Sequence, residues 1–119
     1  MLNLDTHILI YAFSGDLTSH ERKLLSSQQW SISAIVLWEL AKLAQLGRID
    51  LDIDMHEFRR FLAPVQVWPL TYAICASMRK LDFRSGPADE LICATSMAHD
   101  VPLLTRDEKI RKSSVVPLA

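Results

Sequence analysis

Four of the chain's 14 acidic side chains stand in apolar surroundings rather than on charged faces. They are Asp5 in LNLDTHILIYAF, Glu39 in AIVLWELAKL, Asp89 in GPADELICAT and Asp107 just after PLLTR. Each has an ordinary structural reading. Asp5 and Asp107 suit helix N-caps, where a carboxylate accepts a free backbone N–H, and Asp89 suits the positive end of a helix. Glu39 falls on one helical stripe with Ile35, Leu43 and Leu46, beside Val36 and Leu40, which directs it toward the packed side. An exposed glutamate, or one paired with Lys42, is the alternative. Brought together, such groups resist one another: two carboxylates about 4 Å apart repel by about 4 kcal/mol at an effective dielectric near 20. A cluster of them needs a cation. An all-oxygen donor set suits a hard ion, Mg²⁺ or Mn²⁺, better than zinc. Such an ion lowers the pKa of a bound water and neutralises charge on a phosphodiester under in-line attack, which is nuclease chemistry.

The elements flanking these acids decide whether they can meet. The spacing predicts a buried strand over 1–4 and a helix through Ile8, Tyr11 and Ala12 stopped at Ser14-Gly15. Thr18-Ser19-His20-Glu21 is a capping box that opens a second helix. A strand over 30–32 follows, then a long helix over 34–46 capped by Ser33 and closed by Gly47. A helix starting at Asp54-Met55-His56-Glu57 ends before Pro64, and a strand over 65–68 leads to a helix over 71–81. Pro87 stands in the first turn of a helix reaching about His99. A strand over 101–104, a short helix opened by Asp107 and an edge strand at 115–116 complete the chain. Short apolar strands alternating with helices indicate βαβ units. The expected fold is α/β: a three-layer single domain over 1–119, with a short central parallel sheet and helices on both faces. Parallel strands place their carboxyl ends along one edge, where α/β proteins bind ligands. Asp5 and Asp107 follow strand ends, and Glu39 and Asp89 lie near the starts of helices at that edge, so one pocket can hold all four.

Composition narrows the partners. Half of the 119 residues are hydrophobic and 23% are charged, the balance of a chain that folds on a core. Thirteen basic residues against 14 acidic ones give a net charge of −1, so polyanion binding must come from local patches. Cys75 and Cys93 lack metal-ligand spacing and read as reduced, buried thiols. The apolar run Ile8 to Phe13 is too short for a secretory segment, and no stretch spans a bilayer, so a cytoplasmic location without membrane contact is expected.

These blocks, in this order, resemble the PIN-domain ribonucleases, in particular the small VapC-like toxins of bacterial and archaeal toxin–antitoxin modules. The similarity covers essentially the whole chain and rests on LDTHILIYA, ISAIVLWELAKLAQLGRI and GPADELICATSMAHDVPLLTRD. It implies a PIN-like fold and an acidic pocket for one or two Mg²⁺ or Mn²⁺ ions. By motif position, Asp5, Glu39, Asp89 and Asp107 form the catalytic set. The resemblance implies Asp5 and Asp89 as metal ligands, Asp107 as a ligand directly or through water, and Glu39 acting on metal-bound water or behind the ligands. Thr6 and Thr105 match hydroxyl positions that orient carboxylates, with local turn or cap roles as the alternative. Many relatives carry an acid before the proline and arginine after the second aspartate. Gly86 and Glu90 stand there in this chain; the glycine-proline variant implies no loss of activity, while Glu90 bears on rim charge and substrate preference.

The implied substrate is RNA, and binding it calls for basic groups around the acids. Arg84, Arg106, Lys109, Arg111 and Lys112 are the candidates, flanking the third and fourth acidic positions. His7 reads as a first-turn helix residue rather than a ligand. The toxin resemblance further implies a homodimer and a cognate antitoxin that covers the site. Leu37 and Trp38 lie off the Glu39 stripe and are either core residues or an apolar groove for such a partner. Two rivals remain. One is a catalytically silent interaction module on the same fold. The other is an α/β phosphatase using Asp5 as nucleophile, which would want a second acid where His7 stands.

Overall fold

Leu2, Asn3 and Leu4 form β1 (Leu2–Leu4), and all three side chains are buried although successive residues of a strand point to opposite faces. Both faces of the sheet are therefore covered at its centre, as the uninterrupted apolar pattern requires. In the computed structural model, which describes residues 1–119, β1 lies between two parallel neighbours. On one side is β2 (Trp30–Ser33), in the register Leu2↔Trp30 and Asn3↔Ser31. On the other is β4 (Leu103–Leu104), in the register Leu4↔Leu104. β3 (Gln66–Trp68) pairs with β2, giving the order β3-β2-β1-β4 with every pairing parallel and helices flanking the sheet. This is the expected α/β architecture.

Local chemistry sets each helix. α1 (Thr6–Ser14) is capped by Asp5 and ends at Gly15, whose φ of 83° only a glycine adopts without strain. α2 (Ser19–Ser26) begins with the expected capping box, Glu21 N–H donating to Thr18 Oγ1 and Thr18 N–H donating to Glu21 Oε1. Ser33 caps α3 (Ala34–Gln45), α4 (His56–Leu62) precedes β3, and Thr71 caps α5 (Tyr72–Ser77). α6 (Pro87–His99) carries its proline in the first turn, and Asp107 caps α7 (Glu108–Arg111). Asn3 ties β1 to α6, its amide donating to Ser96 Oγ at 2.9 Å and to the Ile92 carbonyl at 3.4 Å. No helix is long and apolar enough to cross a membrane.

Several sequence expectations are corrected. The helix over 71–81 divides into α5 and a tighter turn at Met78–Lys80, the 3₁₀ geometry with which helices commonly end. The helix expected at 54–57 begins at His56 with Met55 in the cap position, and the Asp54 carboxylate accepts from Arg59 at 3.3 Å. No edge strand forms at 115–116. There Ser113 Oγ accepts both the Val115 and Val116 N–H groups at 3.1 Å, folding the backbone into a turn, and the chain reaches β4 only at a Leu103↔Leu118 bridge. Cys93 is buried as expected, but Cys75 is exposed, because α5 turns Ile74 inward and its other face to solvent.

The core closes over an aromatic group. Phe58 is fully buried, meets Phe13 edge-on at 5.0 Å between centroids and stacks on Phe61, which also meets Trp30. Phe58→Ala is expected to lower unfolding free energy by about 3–5 kcal/mol in urea titration. Tyr72→Ala, at a residue 90% exposed, should shift it by no more than about 0.5 kcal/mol.

Candidate active site at the carboxyl edge of the sheet

Because β1 and β4 end in register, the residues that follow them meet. Asp5 N–H donates to the Leu104 carbonyl at 3.1 Å, and Thr105 Oγ1 donates to Asp5 Oδ2 at 2.5 Å. The other Asp5 oxygen caps α1, accepting the Thr6 N–H at 2.8 Å. Thr6 then turns its own hydroxyl to Glu39 Oε1, so this one residue, the first of α1, holds two acids. Glu39 is half-buried in the second turn of α3, slightly deeper than the helix start, and is held by Thr6 rather than by Lys42. Asp107 uses Oδ1 to cap α7, accepting the Ile110 N–H at 3.1 Å, while its own N–H donates to Thr105 Oγ1. Asp89, in the first turn of α6, accepts Ser85 Oγ at 2.8 Å on Oδ2. Asp5 and Asp107 are thus helix caps, and capping leaves both in the shared site.

All four acids line one cleft of about 390 Å³, together with His7, Tyr11 and Arg106. Its electrostatics are those of crowded negative charge. Burial pushes the Asp5 carboxyl above its ordinary value, against the opposing bonds from Thr105 and Thr6, and the Asp89 charge pushes it further. The buried Cys93 thiol beneath is pushed up to about 12, first by burial and then by the charges of Asp5, Asp89, Asp107 and Glu90. The chain's two ion pairs, Arg59–Asp54 and Arg106–Glu21, leave the four acids out. As they stand, no three of the acids close into an all-protein cage for an ion. The donor set nevertheless fits Mg²⁺ or Mn²⁺, since a small hard cation keeps several waters and takes one or two carboxylates.

Thr6 and Thr105 both donate to the acids, whereas the five basic candidates separate. Arg106 alone borders the acids; its Nε and Nη2 hold Glu21 at 2.8 and 2.7 Å, and its guanidinium lies 4.1 Å above the Tyr11 ring. Arg111 and Lys112 line a neighbouring cavity. Lys109 donates to the Arg84 carbonyl at 3.1 Å and faces a third recess, and Arg84 is exposed. Leu37 and Trp38 are surface residues, 39% and 56% exposed, not core.

Sequence reasoning missed Ser85, Glu21 and Tyr11. The signal for Ser85 is a hydroxyl four residues before an acid across a helix start. For Tyr11 it is the four-residue spacing from His7, which puts both on one face of α1.

The Asp5 shift has a sign that can be measured. Its carboxyl holds a proton more tightly folded than unfolded, so the ionised group destabilises the ion-free fold above its unfolded pKa near 3.8. Without divalent ions at pH 7, Asp5→Asn should melt above wild type, its amide oxygen keeping the α1 cap. The gap should close as pH falls below 3.8, where the wild-type carboxyl is protonated in both states. Added Mn²⁺ should raise the melting temperature of wild type but not of the variant.

Known proteins share this fold and its sequence pattern. The PIN domain family model matches residues 3–115, a span that includes all four acids. Ribonuclease VapC22 of Mycobacterium tuberculosis is 34% identical over 88 residues, 71% of this chain and 68% of that protein. A toxin–antitoxin complex from Klebsiella pneumoniae is similar at TM-score 0.75 and 22% identity, over 100% of this chain and 97% of that one. VapBC2 from Rickettsia felis, bound to a DNA fragment from its promoter, is similar at TM-score 0.72 and 21% identity, over 100% and 98%. The solved structures bear on the fold alone, and with the family match and the mycobacterial relative they lead to one assignment: this chain belongs to the PIN domain family.

Proposed function

We propose that this chain is a Mg²⁺- or Mn²⁺-dependent endoribonuclease, a single domain over 1–119, that acts as the toxin of a toxin–antitoxin pair. The observation that carries the reading is the cleft itself: four carboxylates from four separate segments line it, and none has a cationic partner in the chain. Family membership and likeness to a mycobacterial ribonuclease support the choice of RNA as substrate.

In this reading Asp5 and Asp89 would hold the ion, and Asp107 would serve it directly or through water with the oxygen that does not cap α7. When bound, the ion supplies an activated water and charge neutralisation at the scissile phosphate. Glu39, kept in place by Thr6, would orient an attacking water in the cleft, and Thr105 orients Asp5. Asp5 is a poor nucleophile for a phosphatase, since it is 7% exposed with both oxygens already accepting bonds. A cognate antitoxin would cover the cleft, and a second copy of the chain completes the assembly expected for this toxin class. Likeness in fold to toxin–antitoxin complexes supports that partnership.

RNA cleavage should require Mn²⁺ or Mg²⁺ and stop with EDTA. Asp5→Asn and Asp89→Asn should each lower kcat/KM about 100-fold or more, equivalent to about 2.7 kcal/mol of transition-state stabilisation, with unchanged circular dichroism. Equal cleavage by wild type and both variants would assign the activity to a contaminant. Induced expression should arrest growth, and co-expression of the neighbouring small gene should relieve it.

A further inference from the structure

Arg106 is a wall between two concavities. One is the acid cleft; the other is a cavity of about 630 Å³ that it borders with Thr105, Arg111 and Lys112. The basic character of this second cavity depends on how its charges pair. Glu21 also lines it, but both of its oxygens accept from Arg106, and Oε1 accepts the Thr18 N–H as well, so its charge is answered locally. That leaves Nη1 of Arg106 with no bond inside the chain, on a guanidinium fixed by Glu21, the Asp16 carbonyl and the Tyr11 ring. Arg111 donates only to the Thr105 carbonyl, at 3.3 Å, and Lys112 has no side-chain partner. Against these stands one unpaired side-chain carboxylate, Glu108, with Ala119 also on the wall. With Arg106 and Glu21 answering each other, Arg111 and Lys112 against Glu108 leave the cavity's side chains a small excess of positive charge, beside a cleft of uncompensated negative charge.

One short element sets the spacing of the two patches. α7 is capped at its start by Asp107, which faces the acid cleft, and at its end by Lys112, preceded by Arg111. At about 1.5 Å rise per residue, the five steps from Asp107 to Lys112 cover about 7.5 Å, the scale of one nucleotide step in an extended strand. We propose that the cavity is a phosphate-binding subsite for the RNA strand. It takes a backbone phosphate flanking the bond held over the acids, with Lys112 and Arg111 donating to it and Arg106 as the wall shared with the cleft. The proposal rests on the ribonuclease reading for its substrate. It gives the strand a direction of travel, from the acids past Arg106 to the end of α7, where Lys112 also borders the recess that holds Lys109.

Binding in EDTA separates this subsite from catalysis. The probe is a fluorescently labelled single-stranded RNA, followed by anisotropy across a salt series. Removing one cation that pairs with a phosphate should reduce the slope of log K against log salt by about 0.7, so Lys112→Gln should lower it by that amount and Arg111→Gln/Lys112→Gln by about 1.4. Lys112→Gln removes no bond within the protein and keeps the test valid should Arg111→Gln disturb the fold. Lys80→Gln, at an exposed cation elsewhere, is the control and should leave the slope as in wild type. In Mn²⁺, the double variant should raise KM for the same RNA and leave kcat unchanged. Wild-type slope and affinity in the double variant would overturn the subsite even where wild type cleaves RNA, as would an equal loss in Lys80→Gln. If the double variant binds RNA normally but loses a co-expressed partner protein, the cavity takes protein and the proposal fails. Absence of any cleavage by wild type would instead sink the ribonuclease reading, with the EDTA binding series still reporting on the cavity.

Discussion

The whole arrangement hangs on a carboxylate placed where carboxylates are costly. Asp5 is 7% exposed, and what offsets its desolvation is chiefly one hydroxyl and one backbone N–H, with His7 contributing least. Those two bonds exist because β1 and β4 end together. The Leu4↔Leu104 register sets Asp5 beside Thr105, and the onset of α1 turns the Thr6 N–H onto the same side chain. A slip of one residue in either strand would send these side chains to the opposite face and break the site. Asn3 resists such a slip, its amide bound to Ser96 and the Ile92 carbonyl of α6. The fully buried central strand thus also delivers the acid whose carboxyl burial pushes up.

Crowded carboxylates could have been neutralised from within, and the chain holds the means. Arg106 borders the cleft, and a guanidinium brought to about 4 Å from a carboxylate would contribute about 4 kcal/mol at an effective dielectric near 20. Glu21 prevents this. It takes both Nε and Nη2 of Arg106, is itself pinned by the Thr18 capping box, and has its pKa drawn down to about 2, chiefly by the Arg106 bond. A helix-capping device on α2 thereby keeps a cation at the edge of the acids and out of their centre. The negative field survives for an external cation, which is what the proposed chemistry needs.

Much of this was legible in the sequence because it follows from local rules. Gly15 and Gly47 end helices with positive φ, Thr18 and Glu21 make their box, and Pro87 opens α6. The four candidate acids were legible because Asp5 and Glu39 interrupt apolar patterns, and because parallel βαβ order brings strand ends and helix starts, with Asp89 and Asp107, to one edge. What the sequence hid was long-range or subtractive. Nothing near Arg106 announces that its partner is Glu21, 85 positions earlier. The turn at residues 113–116 forms because Asp82 accepts from Ser113 and Ser114, an interaction no local pattern contains. The five basic candidates looked alike in sequence and differ in space, because α7 turns Arg111 to one cavity and Lys109 to another, with Lys112 bordering both.

The departure at Gly86 and Glu90 shows how two unusual residues can be one solution. Glycine at the N-cap of α6 offers no side-chain acceptor, and the helix start makes no side-chain cap bond there. The acids of the first turn reach back to Ser85 instead, Glu90 Oε2 accepting its N–H and Asp89 Oδ2 its hydroxyl, both at 2.8 Å. Ser85 is therefore held from both sides and fixes one oxygen of Asp89, leaving the other without a protein partner. Glu90 still adds negative charge near the cleft, since it helps raise the Cys93 pKa, but its carboxylate is bonded to the helix entry and is not free at the rim. Rim chemistry on the proposed reading then falls to Arg106, Arg111 and Lys112, whose free donors are the groups left to meet a phosphate backbone.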